Sequence, residues 1–344
     1  MVPVAPSGNL SAARTVLWAG SPDGERSTSV VVTMQPPIPS SAASRPQSRR
    51  LLSFLAAVVL VAGCGLGGTP SPTPGPSGPP SPSPLVSGSV VFRATLVQAL
   101  PPIVQFGWLP LVVVTAEGSL LQPGPMVLLY PGPLVPPIEE RAISSRGIEI
   151  LVGAVRDAGL LTGQVDFTGG SLRPGQAAGR LEIVADGRRY EIVGDPSRVV
   201  RCGDPPARCI PAPGSPEAFA HFWLRLSDLP GWLGPELGQP RPHVPAAYAI
   251  LVGPPPSEPG FSPAPATWPL EPRLRDFGAG LAGDPGRRCG VVAGEAAATL
   301  RPALDAANAL TPWIDPDEPG LRYGLTVRPL LPGDPDPCAV LVGS

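Results

Sequence analysis

Residues Thr69–Pro84 (TPSPTPGPSGPPSPSP) place eight prolines in sixteen positions. Each proline fixes φ and removes a backbone donor, so the tract can enter neither a helix nor a sheet ladder. Polyproline II is the conformation left to it, and at about 3.1 Å per residue it spans on the order of 50 Å. The tract therefore divides the chain, and any core must form on one side of it. Pro and Gly contribute 53 and 41 of the 344 residues, a density seen in low-complexity chains. Against that, 43% of residues are hydrophobic and only 15% charged, which is too apolar for a fully disordered polypeptide. The expectation is a folded domain over residues 88–344, rich in Pro/Gly loops, with the tract as its spacer.

Upstream of the spacer, Arg45, Arg49 and Arg50 precede an apolar run, Leu51–Ala62 (LLSFLAAVVLVA). As a helix this run is about 18 Å long, short of the roughly 30 Å hydrocarbon core, and suits a signal-peptide h-region. Val61, Ala62 and Gly63 are small enough for a peptidase groove, and Cys64 supplies a sulfur that can take a diacylglycerol or palmitate anchor. The segment resembles a bacterial lipobox. It implies an exported lipoprotein, held on the extracytoplasmic face of the cell membrane by its lipid. The chain is thus read as an N-terminal extension and signal peptide (1–63), a lipidated Cys with linker (64–87) and a folded region (88–344), with a sub-boundary near 200–215. Ser48–Leu52 loosely resembles a twin-arginine signal, which leaves the export route open, and Met34 is an alternative start.

Four further cysteines, Cys202, Cys209, Cys289 and Cys338, suit disulfides in an exported chain. Of the three connectivities, Cys202–Cys209 and Cys289–Cys338 are favoured. Zinc is the competing reading, but no C-x₂-C pair is present.

Hydrophobic periodicity gives a mixed pattern. Ser89–Val97, Leu111–Thr115, Tyr248–Val252, Cys289–Val292 and Arg322–Leu330 read as strands. Leu181–Val184 and Arg189–Val193 flank Asp186-Gly187, a hairpin signal. Ser144 or Ser145 caps a helix with Ile148, Leu151, Val152 and Val155 on one face, ended by Gly159. Ser215-Pro216-Glu217 opens another, lined by Phe219, Phe222, Trp223, Leu226 and Leu229. Glu295–Leu310 reads as a third, kinked or restarted at Pro302. The class predicted is α+β, with mixed or antiparallel strands and about three helices. A faint echo of Asp157–Leu161 in Asp305–Leu310 leaves a duplicated unit, two similar subdomains, open.

Several segments together carry a resemblance. They are Pro131-Gly132-Pro133, Ala158-Gly159-Leu160-Leu161, Arg288-Cys289-Gly290, Thr311-Pro312-Trp313 and Arg328–Pro332. Over much of residues 90–344 the chain is similar to a group of uncharacterised lipoproteins of high-GC bacteria. The resemblance implies lipid anchoring and export, and it carries no activity.

For chemistry, the exclusions come first. All 25 basic residues are Arg, which removes Schiff-base lysines, Walker A loops and Ser–Lys dyads. Residues 88–344 hold 20 Arg against 25 Asp and Glu without a basic cluster, which argues against nucleic acid. Gly278-x-Gly280-x-x-Gly283 runs into Asp-Pro-Gly instead of a helix, so it is no dinucleotide loop. His221 and His243 have no local nucleophile or orienting acid, and His243 reads as a loop residue. Asp315–Glu318 and Asp334–Asp336 lack EF-hand spacing. No catalytic residue, metal site or cofactor is assigned. Trp223 reads as core, whereas Trp232 and Trp268, in Gly/Pro-rich segments, are the candidate surface platform for a ligand. The expected role is non-catalytic binding of a small molecule or envelope component. The alternatives are a secreted hydrolase using Asp/Glu acid–base chemistry, which two carboxylates, or a carboxylate with His221 or His243, brought together in a deep pocket would favour, and a purely structural envelope protein.

Overall fold

The computed structural model describes residues 88–126, 129–199 and 211–342. Cys64 with Val61, Ala62 and Gly63 of the expected lipobox, the proline tract, and Cys202 and Cys209 lie outside those residues. The fold is α+β, with two main sheets that follow one another along the chain.

The first half contributes β1 (Val90–Gln98), α1 (Pro102–Gln105), β2 (Val112–Thr115), β3 (Ser119–Pro123), β4 (Ile138–Ala142), α2 (Ser145–Asp157), β5 (Gln164–Asp166), β6 (Ala177–Ala185) and β7 (Arg188–Gly194). After these come α3 (Pro216–Arg225), α4 (Leu229–Leu233) and β8 (Arg241–Pro242). The strands form one eight-stranded sheet in the order β5-β7-β6-β1-β2-β3-β4-β8, antiparallel except for the β5/β7 pair. Asp186 (φ 52°) and Gly187 (φ 70°) make the left-handed turn that joins β6 to β7, as their sequence requires.

Both long helices of this half are capped as predicted. Ser144 Oγ accepts from Gly147 N at 3.0 Å, and Ser215 Oγ accepts from Ala218 N at 3.1 Å. Leu151 and Val155 of α2, with Phe219 and Phe222 of α3 and Leu229 and Leu233 of α4, close over Phe92, Val112, Leu120, Leu181 and Ile192 of the sheet. The fit is close at two glycines. A Cβ on Gly179 would lie 2.5 Å from the Trp223 ring, and one on Gly194 would lie 2.5 Å from Phe219. The segment after 215 thus packs on the first core, and the strands of the second sheet begin after β8.

The second half contributes β9 (Ala247–Gly253), β10 (Ala266–Thr267), β11 (Ala279–Leu281), β12 (Asp284–Ala293), α5 (Gly294–Ala306), β13 (Trp313–Ile314), β14 (Gly324–Pro329) and α6 (Pro337–Val342). Its sheet has the order β11-β12-β9-β14, with β10 and β13 paired separately. Central β9 is buried on both faces. Tyr248, Ile250 and Val252 face Leu300 and Leu304 of α5, while Ala247, Ala249 and Leu251 pack near Phe106, Leu330 and Leu341. Helix α5 runs through Pro302 and stops at Ala306, short of the predicted Leu310. There Asn308 takes over, its side chain accepting from Leu310 N while its own N–H donates to Thr311 Oγ1.

Cys289 of β12 and Cys338 of α6 are disulfide-bonded, their Cα atoms 5.3 Å apart. The two halves meet at a buried ion pair. Asp334, fully buried, accepts from Arg93 of β1 at 2.8 Å, lies 3.4 Å from Arg328 of β14 and accepts from Leu331 N at 2.9 Å. No helix among the described residues is long and apolar enough to cross a membrane.

Candidate functional site

The edge strand β8 builds a charged cluster that opens onto two cavities. Its register with β4 sets Arg241 opposite Glu140. Because side chains alternate along an extended chain, His243, two residues on, points the same way. Its backbone N–H is fixed on Ile138 O at 2.9 Å. Glu140 then collects three donors. Arg241 Nη2 reaches Oε1 at 2.8 Å, Ser119 Oγ reaches the same oxygen at 3.0 Å, and His243 Nδ1 lies 3.0 Å from Oε2.

Burial alone would raise the pKa of Glu140. The hydrogen bonds from His243, Arg241 and Ser119, with the charge of Arg241, outweigh it and pull the carboxyl down to about 2. Glu140 is therefore an anion at neutral pH, so Nδ1 must carry the proton in its contact with Oε2. In the neutral ring the lone pair then sits on Nε2, which has no hydrogen-bond partner among the described residues.

His243 lines two cavities. One, of about 360 Å³, is shared with Thr115, Glu117, Ser119 and Glu140. The other, of about 460 Å³, lies among Val135, Pro136, Pro137, Val244 and Pro245 on one side and Tyr248, Arg301 and Asp305 on the other. A third cavity, of about 360 Å³, holds Arg93, Glu182, Arg189 and Asp334. Its charges are already spent on one another, Arg93 on Asp334 and Arg189 on Glu182 at 2.6 Å. At the larger His243 cavity, by contrast, the side chains of Tyr248, Arg301 and Asp305 make no hydrogen bond or ion pair with another described residue.

The pairing of His243 with Glu140 was not legible beforehand, because 103 residues separate the two and only the β4/β8 register joins them. It gives a carboxylate-oriented imidazole, an arrangement suited to hydrogen bonding or proton transfer. Among the described residues no Ser, Thr or Cys side chain hydrogen-bonds His243, since Ser119 turns its hydroxyl to Glu140. His221 sits on the exposed face of α3.

The tryptophan platform is corrected. Trp268 is 1% exposed, packed edge-on against Phe277 and Trp313, and donates Nε1–H to Pro272 O at 3.0 Å. The Pro-rich flanks that suggested a surface position instead fold the indole inward, and the carbonyl of Pro272 satisfies the N–H that burial would otherwise strand. Trp232 is half-buried, set edge-on to Phe222, with Arg225 over its ring at 3.9 Å. Its face is already taken by that cation, so the pair forms no joint platform.

The carboxylate runs serve structure. Asp315 is buried and accepts from Leu274 N, Asp317 and Glu318 bind Arg273, Glu318 also binds Arg275, and Asp336 accepts from Cys338 N. Among the described residues no three His, Cys, Asp or Glu side chains gather as a metal site. Gly278–Gly283 lies at the β11/β12 hairpin. The chain matches no family model, no curated protein and no solved structure.

Proposed function

We propose that this chain is a lipoprotein, anchored through Cys64 on the extracytoplasmic face of the membrane, whose folded region binds a small molecule or envelope component without transforming it. The cavity of about 460 Å³ at His243 carries the binding reading, because the side chains of Tyr248, Arg301 and Asp305 along it make no hydrogen bond or ion pair with another described residue. The Cys289–Cys338 bond supports the compartment, since structural disulfides persist in oxidising surroundings. The lipobox and proline spacer support the anchor. Detergent-phase partitioning of the wild type and of Cys64→Ser tests that part: the wild type should enter the detergent phase and the variant should not. Equal partitioning would remove the anchor. For binding, a thermal-shift screen of the full chain should return ligands whose effect is lost when Val244→Trp fills the cavity. Ligands unaffected by that change would move the site elsewhere.

A second reading, a hydrolase, rests on the Glu140–His243 contact of 3.0 Å and the open Nε2. It predicts turnover of an ester, peptide or glycoside that His243→Gln abolishes. Turnover that persists in that variant would remove the dyad from catalysis.

A further inference from the structure

The larger cavity beside His243 has two chemically opposite walls. Pro136, Pro137 and Pro245 present apolar rings and no N–H, so apart from His243 that wall is largely apolar and poor in donors. The facing wall carries Tyr248 from β9 with Arg301 and Asp305 from α5. Arg301 and Asp305 stand four residues apart, on one face of the helix. They form no ion pair with each other, and neither makes a hydrogen bond or ion pair to another described residue. The orientation with the cation N-terminal to the acid is the weaker one for an i,i+4 pair, so little holds them together. Both charges act on Tyr248, Asp305 raising and Arg301 lowering its hydroxyl pKa, which burial already raises. The Tyr248 hydroxyl, too, has no hydrogen-bond partner among the described residues.

A simple anion entering here would satisfy Arg301 but meet Asp305, and a simple cation would do the reverse. A neutral apolar molecule would leave both charges partly desolvated and unpaired, which is unfavourable. One ligand class satisfies the whole wall: a molecule with a free carboxylate and a free ammonium a few ångströms apart and an apolar body for the prolines.

We infer that this cavity binds a zwitterionic amino-carboxylate, an apolar-sided amino acid or a short peptide with free termini, with Arg301 holding the carboxylate and Asp305 the ammonium. The inference rests on the binding reading above and gives it a ligand chemistry.

The test is calorimetric titration of the oxidised full chain with L-leucine and Leu-Leu, and with N-acetyl-L-leucine and L-leucinamide, which each remove one charge. Saturable binding of leucine or Leu-Leu is expected, weakened about tenfold or more in each blocked compound, as the loss of one charged hydrogen bond implies. Arg301→Met should lose the preference for the free carboxylate and Arg301→Lys should recover part of it. Asp305→Asn should lose only the preference for the free ammonium. Both positions reach the surface, and unchanged melting temperatures would show that the variants remain folded. Equal binding of free and blocked compounds, or variants without effect, would overturn the zwitterion assignment. If none of the four compounds binds while the cavity takes other ligands sensitive to Val244→Trp, the inference fails and the binding reading stands. If Val244→Trp affects no ligand at all, both fail.

Discussion

The eight-stranded sheet closes its helix-covered face with three helices, whose Phe219, Phe222 and Trp223 pack together with aliphatic side chains of the sheet and helices. The four-stranded sheet uses one long helix, a nest of Trp268, Trp313 and Phe277, and a covalent bond. In the first region several ion pairs lie on exposed faces, for example Arg156–Asp186 and Arg189–Glu182, while Arg141–Glu139 is half-buried. In the second, Glu318 gathers both Arg273 and Arg275, and Asp315 is buried on a backbone N–H. A small sheet buries less apolar surface per residue, and its Pro-rich connections add little regular hydrogen bonding, so it needs staples. The difference teaches that the second region depends on oxidation and on a few polar contacts, while the first stands on packing.

The joint between them should be the most sensitive point. Asp334→Ala would leave Arg93 and Arg328 buried without a carboxylate, and breaking a buried pair this way costs about 3–5 kcal/mol. Urea denaturation should show the whole described region destabilised, with Asp334→Asn less affected because it keeps acceptors for Leu331 N. A loss below about 1 kcal/mol for the alanine variant would mean that the two regions are joined mainly by apolar contacts such as Leu331 against Val113 and Leu121.

A local probe of the first region should do less. Ser215→Ala removes the oxygen that caps α3 and should cost about 1 kcal/mol. The melting temperature should fall slightly, and the second region's hydrogen exchange should not change. Loss of protection in β9 or β12 would show that the first region's packing supports the second.

A third effect, of about 3 kcal/mol at neutral pH by linkage, carries its own signature in acid. Glu140 titrates at about 2 in the folded chain against about 4.5 unfolded, so it favours folding fully above about pH 4.5. That contribution is lost as pH falls from about 4.5 through about 2. Glu140→Gln should therefore be less stable than wild type at neutral pH, and the gap should close near pH 2. A gap independent of pH would mean that shape, and not charge, holds the β4/β8 edge.

How far these features could be read in advance depended on sequence range. The Asp186-Gly187 turn, the Ser144 and Ser215 caps and the stripes beneath them are written within a few residues of where they act, and each forms as read. The Cys289–Cys338 pair could be named because four cysteines in residues 88–344 allow only three connectivities. Trp268 misled because prolines mark loops without saying which way a loop faces. Helix α5 tolerates Pro302 because its apolar stripe, Leu300 and Leu304, is already held against β9, so packing overrode a missing donor. His243 was hidden for a different reason. Its partners Glu140, Ser119 and Arg241 converge only when β3, β4 and β8 lie side by side. Arg301 and Asp305 look like ordinary helix-surface charges until the fold sets them on the same cavity as Tyr248 and the prolines.

The dependence of the second region on its disulfide is tested most directly by hydrogen exchange, peptide by peptide, of the oxidised chain and the Cys289→Ser/Cys338→Ser variant. The bond spans a sequence separation of 49 residues, and the loop-entropy model assigns such a closure about 4 kcal/mol. The expected result is a large loss of protection in β9, β12, β14 and α5, with β1, β6 and β7 protected as before. Equal loss in both regions, or none in the four-stranded sheet, would contradict the division of the molecule into a packed half and a stapled one.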